Sequence, residues 1–309
     1  MKVLIGVDGS SNSFAAVEFV GRLLSADRDE LLLIFATPQV SFEDDRLDPD
    51  VEQRARTALS RAVLEAAMER LPEAWRERAQ QRQVTGAPSM ALLDAVEAEH
   101  ADVVAVGFRG TSGIIADFVL GSVSRAVVHS AKIPVLIVKS ASGTEKAAKQ
   151  SPGPATQQMN VLATLDAEQF AEQTSKLLQA FTWPPETRGL LMTVVRPMFL
   201  TQLPEWVEVK RDPDVAAMAD AWKQEHEQTV QAARAELEKF RTELPKCFVK
   251  HEAIVAEGRP AEEILNQIRG RAIDLAVLGS RKRSFEKLLL GSTTEQVLRE
   301  SPCSVLIVR

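Results

Sequence analysis

Short aliphatic runs alternate along the chain with longer segments in which apolar residues recur at helical spacing. Residues 2–7 and 30–37 are such runs, and residues 12–25 between them place apolar side chains on one helical face. Because the aliphatic runs are continuous rather than alternating, they are typical of parallel strands covered on both faces. The pattern predicts an α/β fold with two domains, each of which contains a doubly wound, five-stranded parallel sheet.

Both halves of the chain give the same order of predicted elements. The first five strands cover 2–7, 30–37, a run that ends near Thr85, 102–107 and 134–139, with helices over 12–25, over 51–70, from Ser89 to about Glu99, and from Ser122. The second five strands lie near 160–165, 188–195, 248–255, 273–278 and 304–308, and the segment 203–243 is predicted to be mostly helical.

The two halves also share short motifs, and these occur in the same order. The matched pairs are Gly86-Ala87-Pro88 with Gly258-Arg259-Pro260, 102–107 with 274–279, 119–122 with 289–292, and 135–139 with 305–309. Since chance would not keep the order, the sequence indicates the duplication of one domain.

Residues 140–158 separate the two halves. They are rich in Ser, Gly, Pro, Ala and Gln and have no apolar period, which is typical of a linker. The prediction is therefore a first domain over 1–139 (the first half), a linker over 140–158 and a second domain over 159–309 (the second half).

Composition and charge exclude several classes of protein. The 309 residues carry a net charge of −6, with 5% aromatic residues and no tyrosine, which disfavours a nucleic-acid-binding platform. No apolar run approaches the roughly 20 residues of a membrane span, and the N-terminus lacks a signal-peptide pattern. The two cysteines are expected to be buried, reduced thiols, and the four histidines lack metal-ligand spacing. We therefore expect a cytoplasmic protein without a metal site.

Candidate ligand-binding residues come directly after two strands of the first half. In an open parallel sheet, ligands bind at the carboxyl ends of the strands where the strand order reverses. Asp8 directly follows the first strand, Gly107-Phe108-Arg109-Gly110 follows the fourth, and Gly121-Ser122 begins the next helix. Glycines let the backbone approach a phosphate, a helix start offers free N–H donors, and Arg109 adds positive charge. The Asp8 carboxylate can accept a hydrogen bond from an exocyclic amine such as that of adenine.

The same residues also have a purely structural interpretation. In it, Gly107 and Gly110 are turn glycines and Ser122 is only the N-cap of its helix. A lone Gly-x-x-Gly favours that interpretation, whereas the complete set at the switch point favours nucleotide binding.

These motifs resemble the universal stress protein family. The resemblance is carried by Asp8-Gly9-Ser10, the Gly-x-x-Gly, the following Gly-Ser and the final Pro-Val-Leu-Ile-Val strand, and it covers both halves. It implies an adenine-nucleotide alpha-hydrolase-like fold with strand order 3-2-1-4-5 and pairing through the fifth strands. We expect strands 134–139 and 304–308, as exposed aliphatic edges, to pair inside one chain as an internal pseudo-dimer. Pairing between chains, which would give a homodimer, is the alternative.

In one branch of that family, the resemblance implies ATP in the crevice between the first and fourth strands, with Mg²⁺ arriving with the nucleotide. Asp8 would face the adenine, and Ala36 and Val106 would line the base or the ribose. The implied phosphate contacts are Gly107, Gly110, Gly121, Ser122 and Val123.

The chain departs from the pattern of that branch in both halves. Ten residues, 111–120, separate Gly110 from Gly121, where that branch has nine. In the second half Lys282 stands at the second glycine position, and 292–295 has the pattern of a capping box. We therefore expect ATP in the first half and a degenerate site, with a structural role, in the second.

Three functional interpretations follow. The first is a stress-response or signalling protein that binds ATP with little or no hydrolysis and acts through an unidentified protein partner. The second is a scaffold of the same fold that binds no nucleotide, or a module for a small ligand such as a lipid. The third is an enzyme of the electron-transfer flavoprotein or synthetase type, although the sequence has neither a Gly-x-Ser-x-Gly elbow nor a P-loop.

Overall fold

The computed structural model describes residues 1–37, 48–109, 120–140, 158–165, 171–197, 213–250, 252–279 and 290–309. The strands are β1 (Lys2–Val7), β2 (Glu30–Thr37), β3 (Gln80–Thr85), β4 (Val103–Gly107), β5 (Val135–Val138), β6 (Gln158–Thr164), β7 (Glu186–Val195), β8 (Ala253–Glu257), β9 (Leu275–Gly279) and β10 (Ser304–Val308). The helices are α1 (Ser11–Leu23), α2 (Pro49–Glu69), α3 (Pro88–Ala98), α4 (Ser122–Ser130), α5 (Ala171–Ala180), α6 (Pro213–Thr242), α7 (Lys246–Val249), α8 (Pro260–Gly270) and α9 (Ser292–Glu300), with a 3-10 turn over Glu73–Trp75.

The strands form one ten-stranded sheet with the order β3-β2-β1-β4-β5-β10-β9-β6-β7-β8. Each half therefore has the order 3-2-1-4-5, and every strand pair within a half is parallel. The expected tandem, doubly wound α/β fold is confirmed. The strand order reverses between β1 and β4 in the first half, so their carboxyl ends form the crevice in which such folds bind ligands.

Helices cover both faces of the sheet. Ile5 packs in one apolar cluster with Val17 of α1, whereas its neighbour Leu4 packs in a second cluster, on the opposite face, with Leu92 of α3. All of these side chains are buried, which explains why the strands have continuous rather than alternating apolar runs.

The two halves join at their fifth strands, which pair antiparallel with Leu306 opposite Leu136. The prediction that these two strands pair within one chain is confirmed. Each strand covers the aliphatic edge of the other, and such an edge would otherwise present unpaired backbone groups.

A reciprocal pair of cations reinforces this junction. Lys139, after β5, donates from Nζ to the carbonyl oxygens of Leu298 (2.9 Å) and Ser301 (2.5 Å) at the end of α9. Arg309, after β10, donates to the carbonyl oxygen of Val128 near the end of α4. Each cation thus binds the negative end of a helix in the other half. Burial lowers the pKa of Lys139 to about 8.

A second contact between the halves involves the residues that follow α1 and α5. Arg28 donates from Nη2 to the carbonyl oxygen of Ala180 (2.5 Å) and to Thr182 Oγ1 (3.1 Å). The Thr182 amide donates to the carbonyl oxygen of Leu23 at 2.8 Å. The end of α1 is therefore tied directly to the segment that follows α5.

The predicted start of one strand, the third of the second half, is wrong. Residues 248–255 were expected to be a strand, but 246–249 form the single-turn helix α7 and β8 begins at Ala253. Phe248 is fully buried against Gly189 of β7, where a Cβ would lie 2.4 Å from the Phe248 ring. Long-range packing of one aromatic ring onto a glycine thus overrides the local β-propensity of this segment.

Candidate functional site

The turn from β1 to α1 fixes the position of Asp8. Gly9 adopts a φ of +82°, a conformation that favours glycine. The Ser10 amide donates to Asp8 Oδ1 at 3.0 Å, and Ser10 is the N-cap of α1, accepting from the Ser13 amide at 3.2 Å. The Asp8 side chain is exposed at the carboxyl end of β1. The carboxylate is therefore held at the mouth of the crevice by the turn itself.

The loop after β4 approaches this turn closely. Ser10 Oγ donates to the carbonyl oxygen of Arg109 at 3.2 Å, so the β1 and β4 loops are bridged across the crevice. A Cβ on Gly107 would lie 2.7 Å from the carbonyl carbon of Asn12 and 2.8 Å from the Ser13 nitrogen. Gly107 thus permits the first turn of α1 to pack on the end of β4, a structural role that the sequence did not distinguish from phosphate contact.

Phe108 anchors the start of the same loop. Its ring is buried, its amide donates to the carbonyl oxygen of Val138 at 2.7 Å, and its own carbonyl accepts from the Gly121 amide at 3.0 Å. Lys139 Nζ lies 4.1 Å from the ring centroid, a cation–π contact. The two ends of the β4–α4 connection are therefore held together, and α4 begins next to the crevice.

The start of α4 presents backbone donors to the crevice. Gly121 is the N-cap, with φ −58° and ψ 153°, and no side chain caps this helix start within the described residues. The interpretation of Ser122 as an N-cap is wrong, because Ser122 is the first helical residue and its side chain is exposed. Free amides at a helix N-terminus, next to an exposed hydroxyl, suit an anion.

The remaining predicted residues of the first half fall into three environments. Ala36 is partly exposed near the end of β2, while Val106 is 3% exposed and its side chain packs against the position of Gly6. Val123 is partly buried against the α3–α4 side of the core. Gly110 lies outside the described residues. Of these residues, Ala36 and Val123 leave side-chain surface accessible next to the crevice, and Val106 can take part only through its backbone.

The second half repeats part of this geometry. Thr294 Oγ1 donates to the carbonyl oxygen of Gly279 (3.1 Å), as Ser124 Oγ donates to that of Gly107 (2.6 Å). Gly291 is the N-cap of α9 with φ −63° and ψ 147°, so the capping box expected over 292–295 does not form with a serine cap. Lys282, which was predicted to disturb this site, lies outside the described residues.

Comparison with protein families matches residues 1–139 and 207–309 to the universal stress protein family. The chain belongs to this family. A universal stress protein of Mycobacterium tuberculosis is 35% identical over 140 residues, which cover 44% of this chain and 94% of the relative. One from Mycolicibacterium smegmatis is 29% identical over 315 residues and covers 99% of this chain and 96% of the relative.

A solved structure has the same fold over the whole chain. The crystal structure of a universal stress protein from Archaeoglobus fulgidus superposes with a TM-score of 0.62 at 21% identity, covering 100% of this chain and 98% of that one. The tandem arrangement is thus shared with another universal stress protein.

Outside the crevice, the described residues of this universal stress protein carry few groups that could bind a ligand or react. They include no group of three or more His, Cys, Asp or Glu side chains that could hold a metal ion. None of the helices in the described ranges combines the length and the hydropathy that a membrane span requires. Cys247 and Cys303 are free thiols, and burial raises the pKa of each to about 11. Both are therefore protonated, weakly reactive thiols at neutral pH.

Sequence reasoning missed one feature of the second half. A cavity of about 180 Å³ lies at the carboxyl edge of its sheet and is lined in part by Arg196 and Arg259. One indication of the cavity was present in the sequence, because Arg259 in the second half replaces Ala87 of the repeated motif. A single substitution in a repeat does not, however, show that a second arginine from another strand end faces the same space.

Proposed function

We propose that the first half of this universal stress protein binds ATP and that the chain acts as a nucleotide-dependent signalling protein with little or no ATP hydrolysis. The observation that carries the proposal is the start of α4. Its N-cap is a glycine, no described side chain caps it, and the exposed Ser122 hydroxyl lies beside it. Such a terminus combines backbone donors with a partial positive charge, and both favour phosphate oxygens.

The bridge between the two loops supports the proposal. The Ser10–Arg109 hydrogen bond of 3.2 Å connects the turn that carries Asp8 with the loop that leads to α4. A carboxylate that accepts from an adenine amine and a helix start that donates to phosphates therefore lie on the same crevice. The crevice is formed by β1 and β4, the switch point at which doubly wound sheets bind their ligands.

We propose binding rather than turnover because of the role that Asp8 already has. Hydrolysis of a triphosphate needs a group that orients the attacking water and charges that stabilise the transition state. Asp8 Oδ1 accepts from the Ser10 amide within the turn. In our proposal, the carboxylate recognises the base and Mg²⁺ accompanies the phosphates of the nucleotide.

The first prediction is that Mg-ATP raises the stability of the protein and that Gly121→Val removes this effect. At an ATP concentration of about 100 times the Kd, the gain in the free energy of unfolding is about 2.7 kcal/mol. A valine at the N-cap of α4 places its side chain where the phosphates approach the amides. Chemical denaturation with and without Mg-ATP measures the effect, and phosphate release under the same conditions measures turnover.

Gly291→Val is the matched control, since Gly291 is the N-cap of α9 with nearly the same backbone angles. Both variants lose a favourable N-cap glycine, so their stabilities without nucleotide should fall by similar amounts. The ATP-dependent gain should persist in Gly291→Val. A wild-type protein that shows no gain at millimolar Mg-ATP, or a Gly121→Val variant that keeps the full gain, would overturn the proposal.

A further inference from the structure

Lys139 lies between the crevice of the first half and the end of α9 in the second half. Its Nζ donates to the carbonyl oxygens of Leu298 (2.9 Å) and Ser301 (2.5 Å). The same ammonium lies 4.1 Å from the centroid of the Phe108 ring, which is buried. One cation therefore binds both the end of a helix of the second half and the residue that anchors the crevice loop.

Phe108 in turn fixes the start of α4. Its carbonyl oxygen accepts from the Gly121 amide at 3.0 Å, and its own amide donates at 2.7 Å to the carbonyl oxygen of Val138, the residue before Lys139. Gly121 is the N-cap of α4, whose free amides are the proposed phosphate donors. Because the ring and the carbonyl belong to one residue, a displacement of the ring also shifts the N-cap.

The Lys139 ammonium depends on both of its partners because burial takes it out of water. Burial lowers the pKa of Lys139 to about 8, so the charged form is poorly solvated. Carbonyl oxygens at a helix C-terminus supply partial negative charge, and the face of an aromatic ring attracts a cation. If one partner moves, the ammonium loses an interaction that water does not replace. The ring of Phe108 and the end of α9 therefore stabilise each other's positions.

The reciprocal cation of the same junction does not reproduce this arrangement. Arg309 donates to the carbonyl oxygen of Val128 near the end of α4. The cation–π contacts of the described residues involve Lys139 and Arg70, and not Arg309. By the correspondence of 102–107 with 274–279, the residue at the position of Phe108 in the second half is Ser280. The link from a helix end to a crevice loop is thus specific to the first half.

We propose that Lys139 is a positioning residue for the nucleotide, which holds the start of α4 through Phe108 and couples the affinity of the crevice to the end of α9. The inference rests on the proposed ATP site and adds a part of the second half to it. The second half thus takes part in nucleotide binding through α9 without contacting the nucleotide.

The second prediction is that Lys139→Met weakens the binding of Mg-ATP to the full chain about tenfold, whereas Lys139→Arg binds like the wild type. Methionine keeps the apolar stem and removes the charge. Arginine keeps the charge, can donate to the same carbonyl oxygens and can lie on the ring. Isothermal titration calorimetry at pH 7 measures the affinities, and denaturation midpoints without nucleotide show that both variants fold.

The pH dependence of the wild type tests the same role without any substitution. Since the pKa of Lys139 is lowered to about 8, the ammonium is lost as the pH rises through this value. The affinity for Mg-ATP should therefore fall about fivefold between pH 7 and pH 9. Lys139→Arg leaves every other ionisable group in place and should show no such fall.

The other charged or titratable groups near Lys139 do not account for this change. Burial raises the pKa of Cys303, which interacts with Lys139, to about 11, so its thiol stays neutral up to pH 9. Arg299 and Glu300, at the end of α9, pair with each other at 3.0 Å. Arg109 follows Phe108 on the loop and is unchanged in each variant.

Arg309→Met is the matched control, because it removes the other cation of the junction. It should lower the stability without nucleotide, as Lys139→Met does, but leave the affinity for Mg-ATP unchanged. A wild type that binds no Mg-ATP at millimolar concentration and neutral pH overturns the proposed function and this inference with it. If the wild type binds, the inference alone is overturned by equal binding to Lys139→Met, by equal affinities at pH 7 and pH 9, or by an equal loss in Arg309→Met.

Discussion

Replacing Asp29 with alanine is expected to lower the free energy of unfolding by about 1.5–3 kcal/mol, because it removes a buried carboxylate that accepts charge-assisted hydrogen bonds. The Asp29 side chain has no exposed surface. It accepts from the Ser25 amide (2.9 Å), from Arg28 Nη2 (3.1 Å) and from the Met1 ammonium (3.1 Å). Arg28 in turn binds the second half at Ala180. The substitution thus loosens both the turn before β2 and a contact between the halves.

The contribution of Asp29 should depend on pH. Burial alone would raise the pKa of this carboxyl, but hydrogen bonds from Arg28, the Ser25 amide and the Met1 ammonium outweigh it and hold the pKa below its usual value. A lowered pKa in the folded state means that the stabilisation is present above the unfolded pKa of about 3.9 and is lost as the pH falls through the folded value. The difference between the wild type and Asp29→Ala should therefore shrink in acid.

Asp27→Ala is the control for this prediction. Asp27 also forms an ion pair, at 3.1 Å with Arg78, but its side chain is 88% exposed. Because exposed pairs contribute little, its loss should cost less than about 1 kcal/mol. Urea denaturation of the three proteins between neutral pH and pH 3 measures both effects. Equal stabilities for the two variants at neutral pH would contradict the role assigned to Asp29.

Gly107→Ala should lower the free energy of unfolding by about 3 kcal/mol. The added methyl group would lie 2.7 Å from the Asn12 carbonyl carbon and 2.8 Å from the Ser13 nitrogen. Both are backbone atoms of the first turn of α1, so relief requires that the whole helix start moves away from β4. The loss should appear without any nucleotide, as a lower denaturation midpoint.

Gly291→Ala is the matched comparison, because a Cβ at that position would have no atom of the described residues within 4 Å, its chain neighbours aside. It should change stability by less than about 1 kcal/mol. If the Gly107→Ala protein is as stable as the wild type, the start of α1 can move away from β4 at a lower cost in free energy than we expect. If the prediction holds, loss of ATP binding in a Gly107 variant is no test of a phosphate contact, which is why Gly121 carries that test.

Local sequence patterns predicted the position of the candidate site but not all of the roles of its residues. The crevice could be placed because Asp8 follows one strand and Gly107 another, and parallel strands bring their carboxyl ends to the same edge. The predicted start of α4 at Ser122 is confirmed, and only the alternative interpretation placed the N-cap at Ser122 instead of Gly121, since glycine and serine both favour that position. The packing role of Gly107 depends on where α1 lies, and no pattern around Gly107 reports the position of that helix.

By itself, the sequence determined the duplication, the α/β class, most helix and strand positions and the edge of the sheet that holds the candidate site. Each follows from periodicity within a few turns of chain, because burial on one face requires apolar residues at fixed spacing. The tertiary structure alone decided the reciprocal binding of helix ends by Lys139 and Arg309, the helical turn around Phe248, and the cavity that Arg196 and Arg259 both line. These features join residues that are far apart in the chain, and their energies arise only when packing brings the partners together.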